Sequence, residues 1–148
     1  MNIPEITVKV KFDKYKKSEL TKISTSTDIY EIAKKTFNAD TIEWTESIML
    51  YFLDRSNKVI GYYKLSNGGI AATLVDPKVV FTMALHVAGT CAIILCHNHP
   101  SGNITPSDSD IKISQIIKTI GKLLEIELLD HLIISNEGFY SMSDEGVL

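Results

Sequence analysis

Apolar and polar residues alternate near the start of the chain, which is the period-two pattern of a half-buried strand. The apolar positions of this pattern are Ile6, Val8, Val10 and Phe12. After a polar connection, Asp28 and Glu31 resemble a helix cap, and apolar residues follow at helical spacing. These helical positions are Ile29, Ile32, Ala33 and Phe37. Residues 1–43 are therefore predicted to form an extension of one strand and one short helix, packed on a domain of residues 44–148.

Two apolar runs separated by a short polar segment predict a hairpin of core strands. The runs cover residues 47–53 and 59–65, and Asp54-Arg55-Ser56-Asn57 between them is typical of a turn. A second turn, Asn67-Gly68-Gly69, leads into a short predicted strand over residues 70–74.

Asp76-Pro77 has the pattern of a helix N-cap followed by proline at the first helical position. The apolar face of this predicted helix consists of Val80, Ala84, Val87 and Ala88. Gly89 is expected to end the helix, because glycine readily adopts the backbone conformation that terminates one.

The last third of the chain predicts one more helix between buried strands. A continuous apolar run from Cys91 to Cys96 predicts a strand, which a polar loop connects to the helix. The apolar side of that helix is expected to carry Ile113, Ile116, Ile117, Ile120 and Leu124. Two further strands are predicted over residues 126–134 and 139–142, with Asn136-Glu137-Gly138 as the turn between them. This order of elements predicts a single α/β domain.

Length and composition are those of one globular domain. The 148 residues suffice for one core, and 45% hydrophobic with 22% charged residues is typical of a folded protein. The N-terminal residues lack the apolar segment of a signal peptide, and no apolar run is long enough to span a bilayer, so no membrane association is expected. Cys91 and Cys96 are interpreted as buried thiols of a cytoplasmic protein.

The charge balance bears on possible partners. Fifteen basic residues against eighteen acidic ones give a net charge of −3, which offers no overall attraction for a phosphate backbone. Nucleic acid is therefore not an expected partner, and duplex binding tighter than about 100 μM at physiological salt is not expected.

The chemistry is concentrated in His97-Asn98-His99-Pro100-Ser101-Gly102, at the end of an apolar strand. In a strand, residues i and i+2 point to the same side, so both imidazoles are expected to face one way. Asp110 begins the next helix and can face back toward them. Two imidazoles and one carboxylate leave a fourth zinc position for water, which is the layout of a catalytic site. Zinc lowers the pKa of its bound water to about 7, so hydroxide is available at neutral pH.

The spacing of His97, His99, Ser107 and Asp110 resembles the H-x-H-x7-S-x2-D motif of the JAMM, or MPN-type, zinc metalloproteases. HNHPSGNITPSDSD, with LLDHLII and YSMSDEG further along, resembles the RadC-type JAB domain of bacteria over roughly residues 44–148. The resemblance implies a cytidine-deaminase-like α/β fold, with a curved mixed sheet flanked by helices. It also implies His97, His99 and Asp110 as zinc ligands, Glu46 as the general base and Ser107 as a hydrogen-bond donor to the tetrahedral intermediate.

A zinc-dependent hydrolase of peptide or isopeptide bonds is the function that this resemblance implies. Zinc-bound water would attack the carbonyl, and Glu46 would transfer its proton to the leaving amine. Glu46 suits this role if the strand over residues 47–53 lies beside the strand over residues 91–96. The expected partner is a peptide or protein substrate, whose identity the sequence does not give, and the oligomeric state is equally open.

Other interpretations remain open for the same residues. An isolated H-x-H is more often a pair of ordinary loop histidines. Ser107 and Asp110 also have the S-x-x-D pattern of a helix capping box. Glu46 alone would be interpreted as a solvated charge at the edge of a strand. His131 is interpreted as a packed, hydrogen-bonded strand histidine rather than a ligand. The alternative functions are a DNA-metabolism or repair factor of the RadC type and a non-catalytic interaction module. The acidic charge balance and the lack of a helix-hairpin-helix pattern disfavour the first, and retention of all five motif residues disfavours the second.

Overall fold

The computed structural model describes residues 3–5, 7, 16–67 and 75–148. The apolar positions of the predicted N-terminal strand, Ile6, Val8, Val10 and Phe12, lie outside these described residues. The predicted turn at Gly68-Gly69 and the predicted strand over residues 70–74 lie outside them as well. The division of the chain after residue 43 stays a prediction.

A mixed sheet forms the centre of the described structure. Its strands are β1 (Ser47–Leu53), β2 (Val59–Asn67), β3 (Ala92–Asn98), β4 (Glu127–Ile134) and β5 (Phe139–Ser141), in the spatial order β2-β1-β3-β4-β5. β3 and β4 run parallel, and the other neighbouring pairs are antiparallel. The α-helices within the described ranges are α1 (Ser26–Thr36), α2 (Pro77–His86) and α3 (Asp108–Leu124). The expected α/β class, with a mixed sheet flanked by helices, is confirmed.

β1 of the predicted hairpin and the predicted buried strand β3 are neighbours inside the sheet. β2, the second strand of the hairpin, is an edge strand of the described sheet with Tyr62 and Tyr63 exposed, so the prediction of a core strand over residues 59–65 is wrong. All residues of β1 and β3 are buried, which is why both strands read as continuous apolar runs rather than alternating ones. β3 begins one residue later than predicted and continues through His97 and Asn98. Its pairing with β1 reaches His97 and its pairing with β4 reaches Asn98, so backbone hydrogen bonding carries the strand past the apolar run.

Helices cover both faces of the sheet. α1 shares a buried cluster with Tyr51 and Cys96 on one face. α2 and α3 share another cluster with Leu50 and Leu95 on the opposite face. The two clusters lie on opposite faces because successive side chains along each strand point to opposite sides of the sheet. Cys96 is a buried free thiol, as predicted, whereas Cys91 is free and only partly buried.

α1 begins earlier than predicted, because Thr25 rather than Asp28 is its N-cap. Thr25 Oγ1 accepts from the Asp28 backbone N–H, and Asp28 Oδ2 accepts from the backbone of Ser24 and Thr25. This reciprocal capping box satisfies backbone donors at the start of the helix. Glu31, the other half of the predicted cap, instead forms an ion pair with Lys34.

α2 starts as predicted but ends sooner. Asp76 Oδ1 accepts from the Lys78 backbone N–H, and Pro77 is the first helical residue. The helix ends at His86, because the next residue, Val87, adopts an extended backbone. Ala88 is consequently outside the helix and exposed, and Gly89 lies beyond its end.

α3 turns a partly polar stripe toward the sheet. Its buried residues are Asp110, Ser114, Ile117 and Gly121. The predicted apolar face is therefore wrong for Ile116 and Leu124, each 40% exposed, because the buried stripe runs through the polar positions instead. None of the helices in the described ranges is both long and apolar enough to cross a membrane.

Gly121 allows α3 to pack closely against the residue before β4. A β-carbon at this position would lie 2.3 Å from the Ile126 carbonyl oxygen. We expect Gly121→Ala to lower the free energy of unfolding by about 1–3 kcal/mol through overpacking, despite the helix propensity of alanine. Urea denaturation followed by circular dichroism measures this. Gly138→Ala is the control, because nothing lies within 4 Å of a β-carbon there, and equal losses in both variants would contradict the prediction.

Candidate metal centre

Strand pairing brings Glu46 to the two histidines. β1 lies antiparallel beside β3 with Ile48 opposite His97, so Glu46, just before β1, lies where β3 ends. The condition that the sequence set for Glu46 is therefore met. Asp110 reaches the same place from the first turn of α3.

His97 lies at the middle of this group of side chains. Its Nδ1 lies 3.1 Å from Asp110 Oδ1, and its Nε2 lies 3.7 Å from Glu46 Oε1. His99 Nε2 lies 3.6 Å from Asp110 Oδ2, and the two imidazoles meet edge to face with centroids 4.8 Å apart. Glu46, His97 and His99 each offer one ligand atom within 4.8 Å of the others, so together they could hold a metal ion.

The donor atoms of this group fit a zinc ion. His97 Nε2 is buried and has no hydrogen-bond partner in the part of the chain that the structure describes. His99 Nδ1 lies 2.7 Å from the Asn103 carbonyl oxygen, which can only accept, so this nitrogen carries the proton and Nε2 keeps its lone pair. A backbone carbonyl commonly orients a metal-binding histidine in this way. Imidazole nitrogens and carboxylate oxygens are donors that zinc prefers.

Asp110 also caps α3. Ser107 Oγ donates to Asp110 Oδ2 at 2.6 Å and accepts from the Asp110 backbone N–H at 3.1 Å. The capping-box interpretation of Ser107 and Asp110 is thus confirmed. Because Ser107 holds Oδ2, the other carboxylate oxygen is directed at His97. A contact between Ser107 and a reaction intermediate stays a prediction.

Asp110 is ionised at physiological pH. Burial raises the pKa of its carboxyl, but the neighbouring His97 and His99 rings and the hydrogen bonds from Ser107 outweigh burial and hold that pKa well below its usual range. The interaction with the Asp110 carboxylate in turn raises the pKa of His99, against the opposing effect of burial. A fixed negative charge therefore faces both imidazoles.

Sequence reasoning missed Asn98, which lies between the two histidines and is completely buried. Its Oδ1 accepts from the Ser47 backbone N–H at 2.7 Å. Its Nδ2 donates to the carbonyl oxygens of Ile42 and Thr45 at 2.7 and 2.8 Å. Asn98 thus fixes the segment that carries Glu46 to the strand that carries His97. No sequence motif with fixed spacing predicts this role of Asn98. The one indication in the sequence is that a polar residue stands at the end of a buried strand.

His131 is a packed, hydrogen-bonded strand histidine, as interpreted. Its ring is completely buried, and Nδ1 lies 2.6 Å from Ser114 Oγ. Burial lowers the pKa of His131 to about 3, so the ring is neutral at physiological pH. It stacks behind His97, with ring centroids 6.3 Å apart and planes 23° from parallel.

The loop after β3 borders a cavity beside His99. Gly102 adopts a left-handed φ of 78°, and its backbone N–H donates to the His99 carbonyl at 3.0 Å. Glycine tolerates this conformation, so it allows the chain to turn directly after the second histidine. The cavity has a volume of about 310 Å³ and is also bordered by Glu43 and by Glu137 in the turn after β4. Of the metal-binding group, His99 is the residue that borders this cavity.

A family model described as the RadC-like JAB domain matches residues 23–147. The chain belongs to the RadC-like JAB domain family. The resemblance carried by the HNHPSG segment is therefore confirmed, and the mixed sheet flanked by helices agrees with a JAB/MPN-type fold. The match begins upstream of Trp44 and includes α1.

Three relatives of this JAB-domain chain are UPF0758 proteins. That of Flavobacterium johnsoniae is 49% identical over 102 residues, which cover 69% of this chain and 44% of the relative. That of Clostridium perfringens is 39% identical over 137 residues, covering 93% of this chain and 60% of the relative. That of Chlorobaculum tepidum is 34% identical over 127 residues, covering 86% and 55%. The chain therefore spans about half the length of these curated relatives.

Proposed function

We propose that this chain is a zinc-dependent hydrolase of peptide or isopeptide bonds. The observation that carries the proposal is the convergence of two imidazoles and two carboxylates at the end of β3 in a JAB-family chain. In this proposal His97, His99 and Asp110 hold the ion, and Glu46 is the general base. A zinc ion bound there would act as a Lewis acid toward the substrate carbonyl and toward water.

The two carboxylates suit different roles. Asp110 is buried, with one oxygen bound to Ser107 and the other directed at His97, so it is held as rigidly as a ligand should be. The Glu46 side chain is 24% exposed and precedes β1 rather than lying within it. A general base needs access to substrate and solvent. Glu46 would therefore accept the proton of the attacking water and pass it to the leaving amine.

The surroundings of His99 favour a peptide over a nucleic acid. Glu43 and Glu137 border the cavity beside this histidine, and their carboxylates would repel the phosphates of a nucleic-acid chain. The net charge of −3 adds to this repulsion. A peptide substrate meets no such penalty, which supports the peptidase over the DNA-associated alternative.

Metal analysis combined with peptide digestion tests the proposal. We expect the purified protein to hold about one zinc ion per chain. In a peptide-library digestion followed by mass spectrometry, cleavage should stop on adding a strong chelator, persist with a non-chelating isomer of it, and return on restoring zinc. A protein that contains no zinc and binds none on titration would contradict the proposal. Zinc binding without any cleavage would instead favour the non-catalytic interaction module.

A further inference from the structure

We propose, on the basis of the proposed zinc site, that His131 and Ser114 are positioning residues of that site. A buried hydrogen bond between them joins α3, which carries Asp110, to β4. This bond sets the distance between metal ligands that belong to different elements of the fold.

The proposed ligands lie on two elements that could otherwise shift against each other. His97 is on β3, and it is fixed to β4 by pairing opposite Ile133. Asp110 is on α3, which packs on the sheet without backbone pairing to it. Ser114 lies one helical turn after Asp110, on the buried side of α3, and contacts His131 on β4. The hydrogen bond between Ser114 and His131 fixes α3 to β4 one helical turn from Asp110. It therefore also fixes the position of Asp110 relative to His97.

The hydrogen bonds of Ser114 define the proton positions. Ser114 Oγ lies 2.6 Å from the Asp110 carbonyl oxygen and 2.6 Å from His131 Nδ1. The carbonyl can only accept, so the single hydroxyl proton is donated to it. His131 Nδ1 must then be the donor to the Ser114 oxygen. The neutral His131 ring is thereby assigned to the Nδ1–H tautomer.

Burial makes this link difficult to replace. Ser114 is 1% exposed and His131 is completely buried. If one of the two side chains is removed, solvent water therefore cannot replace its hydrogen bond to the other. The same His131 ring stacks behind His97, which restrains the imidazole that contacts both Asp110 and Glu46. One residue thus supports the site both by a hydrogen bond and by ring packing.

Zinc affinity of matched variants tests the assignment. Ser114→Ala removes the acceptor, and His131→Phe keeps a ring behind His97 but lacks the N–H. His131→Asn is the conservative rescue, since its side-chain amide can place an N–H near the position of Nδ1. The control is Ser141→Ala, which breaks another buried hydrogen bond, from Ser141 to Asp130, on the opposite face of β4.

We expect Ser114→Ala and His131→Phe to weaken zinc binding by about 10–100-fold, as supporting residues around a metal site do. Competition with a chromophoric chelator measures this affinity, and the visible spectrum of the cobalt-loaded protein reports a change in ligand geometry. Ser141→Ala should keep the parent affinity and spectrum even though it loses stability. His131→Asn should lie closer to the parent than His131→Phe does.

A second measurement needs no variant and no metal. Long-range proton–nitrogen NMR of the metal-free parent distinguishes the two neutral tautomers of His131, and we expect Nδ1–H. An Nε2–H tautomer would overturn the inference, even if one of the variants fails to fold.

The outcomes separate this inference from the proposed function. A parent protein that binds no zinc would overturn both. A parent that binds zinc, with Ser114→Ala and His131→Phe indistinguishable from Ser141→Ala in affinity and cobalt spectrum, would overturn the positioning role alone.

Discussion

Glu46→Gln is expected to lower peptide hydrolysis by about 10²–10⁴-fold while the zinc content stays unchanged. The amide keeps the size of the side chain and its place before β1, but it cannot accept a proton at neutral pH. The measurements are the cleavage rate of a peptide that the parent hydrolyses and the zinc content by plasma emission. Glu127→Gln controls for the loss of one negative charge, because Glu127 begins β4 opposite Ala92, at the other end of β3 from His97.

Asp110→Asn is the matched substitution at the other carboxylate, and it should give the opposite result by losing zinc. The comparison matters because the group whose ligand atoms lie within 4.8 Å of one another consists of Glu46, His97 and His99 and does not include Asp110. Loss of zinc from Glu46→Gln together with normal zinc in Asp110→Asn would reverse the two roles. Full activity of Glu46→Gln would show that the base lies elsewhere.

Replacing His97 or His99 by alanine is expected to remove the zinc, under conditions in which the parent keeps about one ion per chain. With one of three protein ligands missing, the remaining donors should hold the ion too weakly to survive dialysis. Plasma emission after dialysis measures the content. Thermal unfolding gives an independent readout, because a ligand that binds the folded state raises the parent's Tm and should leave that of the variants unchanged.

His86→Ala is the matched control for these two variants. His86 ends α2, and its Nδ1 contacts the backbone carbonyl of Thr82, away from the metal-binding group. This variant should keep the zinc and the zinc-dependent rise in Tm. A normal zinc content in His97→Ala or His99→Ala would remove that residue from the ligand set.

The strands could be predicted from the sequence where both faces of the strand are buried, because burial then requires apolar residues at nearly every position. β1 and β3 are covered on both faces, so almost every position is apolar and the run itself marks the strand. The start of α1 could not be predicted in this way. Thr25 and Asp28 are both good capping residues, and the choice depends on which backbone N–H groups their side chains can reach. The ends of helices therefore depend on three-dimensional detail that periodicity does not contain.

The sequence predicted which residues belong to the candidate site better than it predicted the contacts between them. His97 and His99 are two positions apart at a strand end, so local geometry places them on one side. The approach of Glu46 depends on the pairing of β1 with β3, which is a long-range event. Asn98 and Ser114 have partners that are backbone groups or distant residues, so a pattern of residue types along the chain does not indicate them.

The hydrogen bonds of Asn98 have a consequence for how this site can change. Asn98 binds the backbone of Ile42, Thr45 and Ser47 and none of their side chains. The intervening side chains of Glu43 and Trp44 are exposed and do not take part in these hydrogen bonds, although Glu43 accepts one from Asn136 Nδ2. We therefore expect that exchanging Trp44 leaves the backbone that carries Glu46 in place. The side chain of Trp44 is thereby separable from the backbone that positions Glu46. A set of variants at Trp44 could present new surfaces beside the proposed base, whose location is held constant.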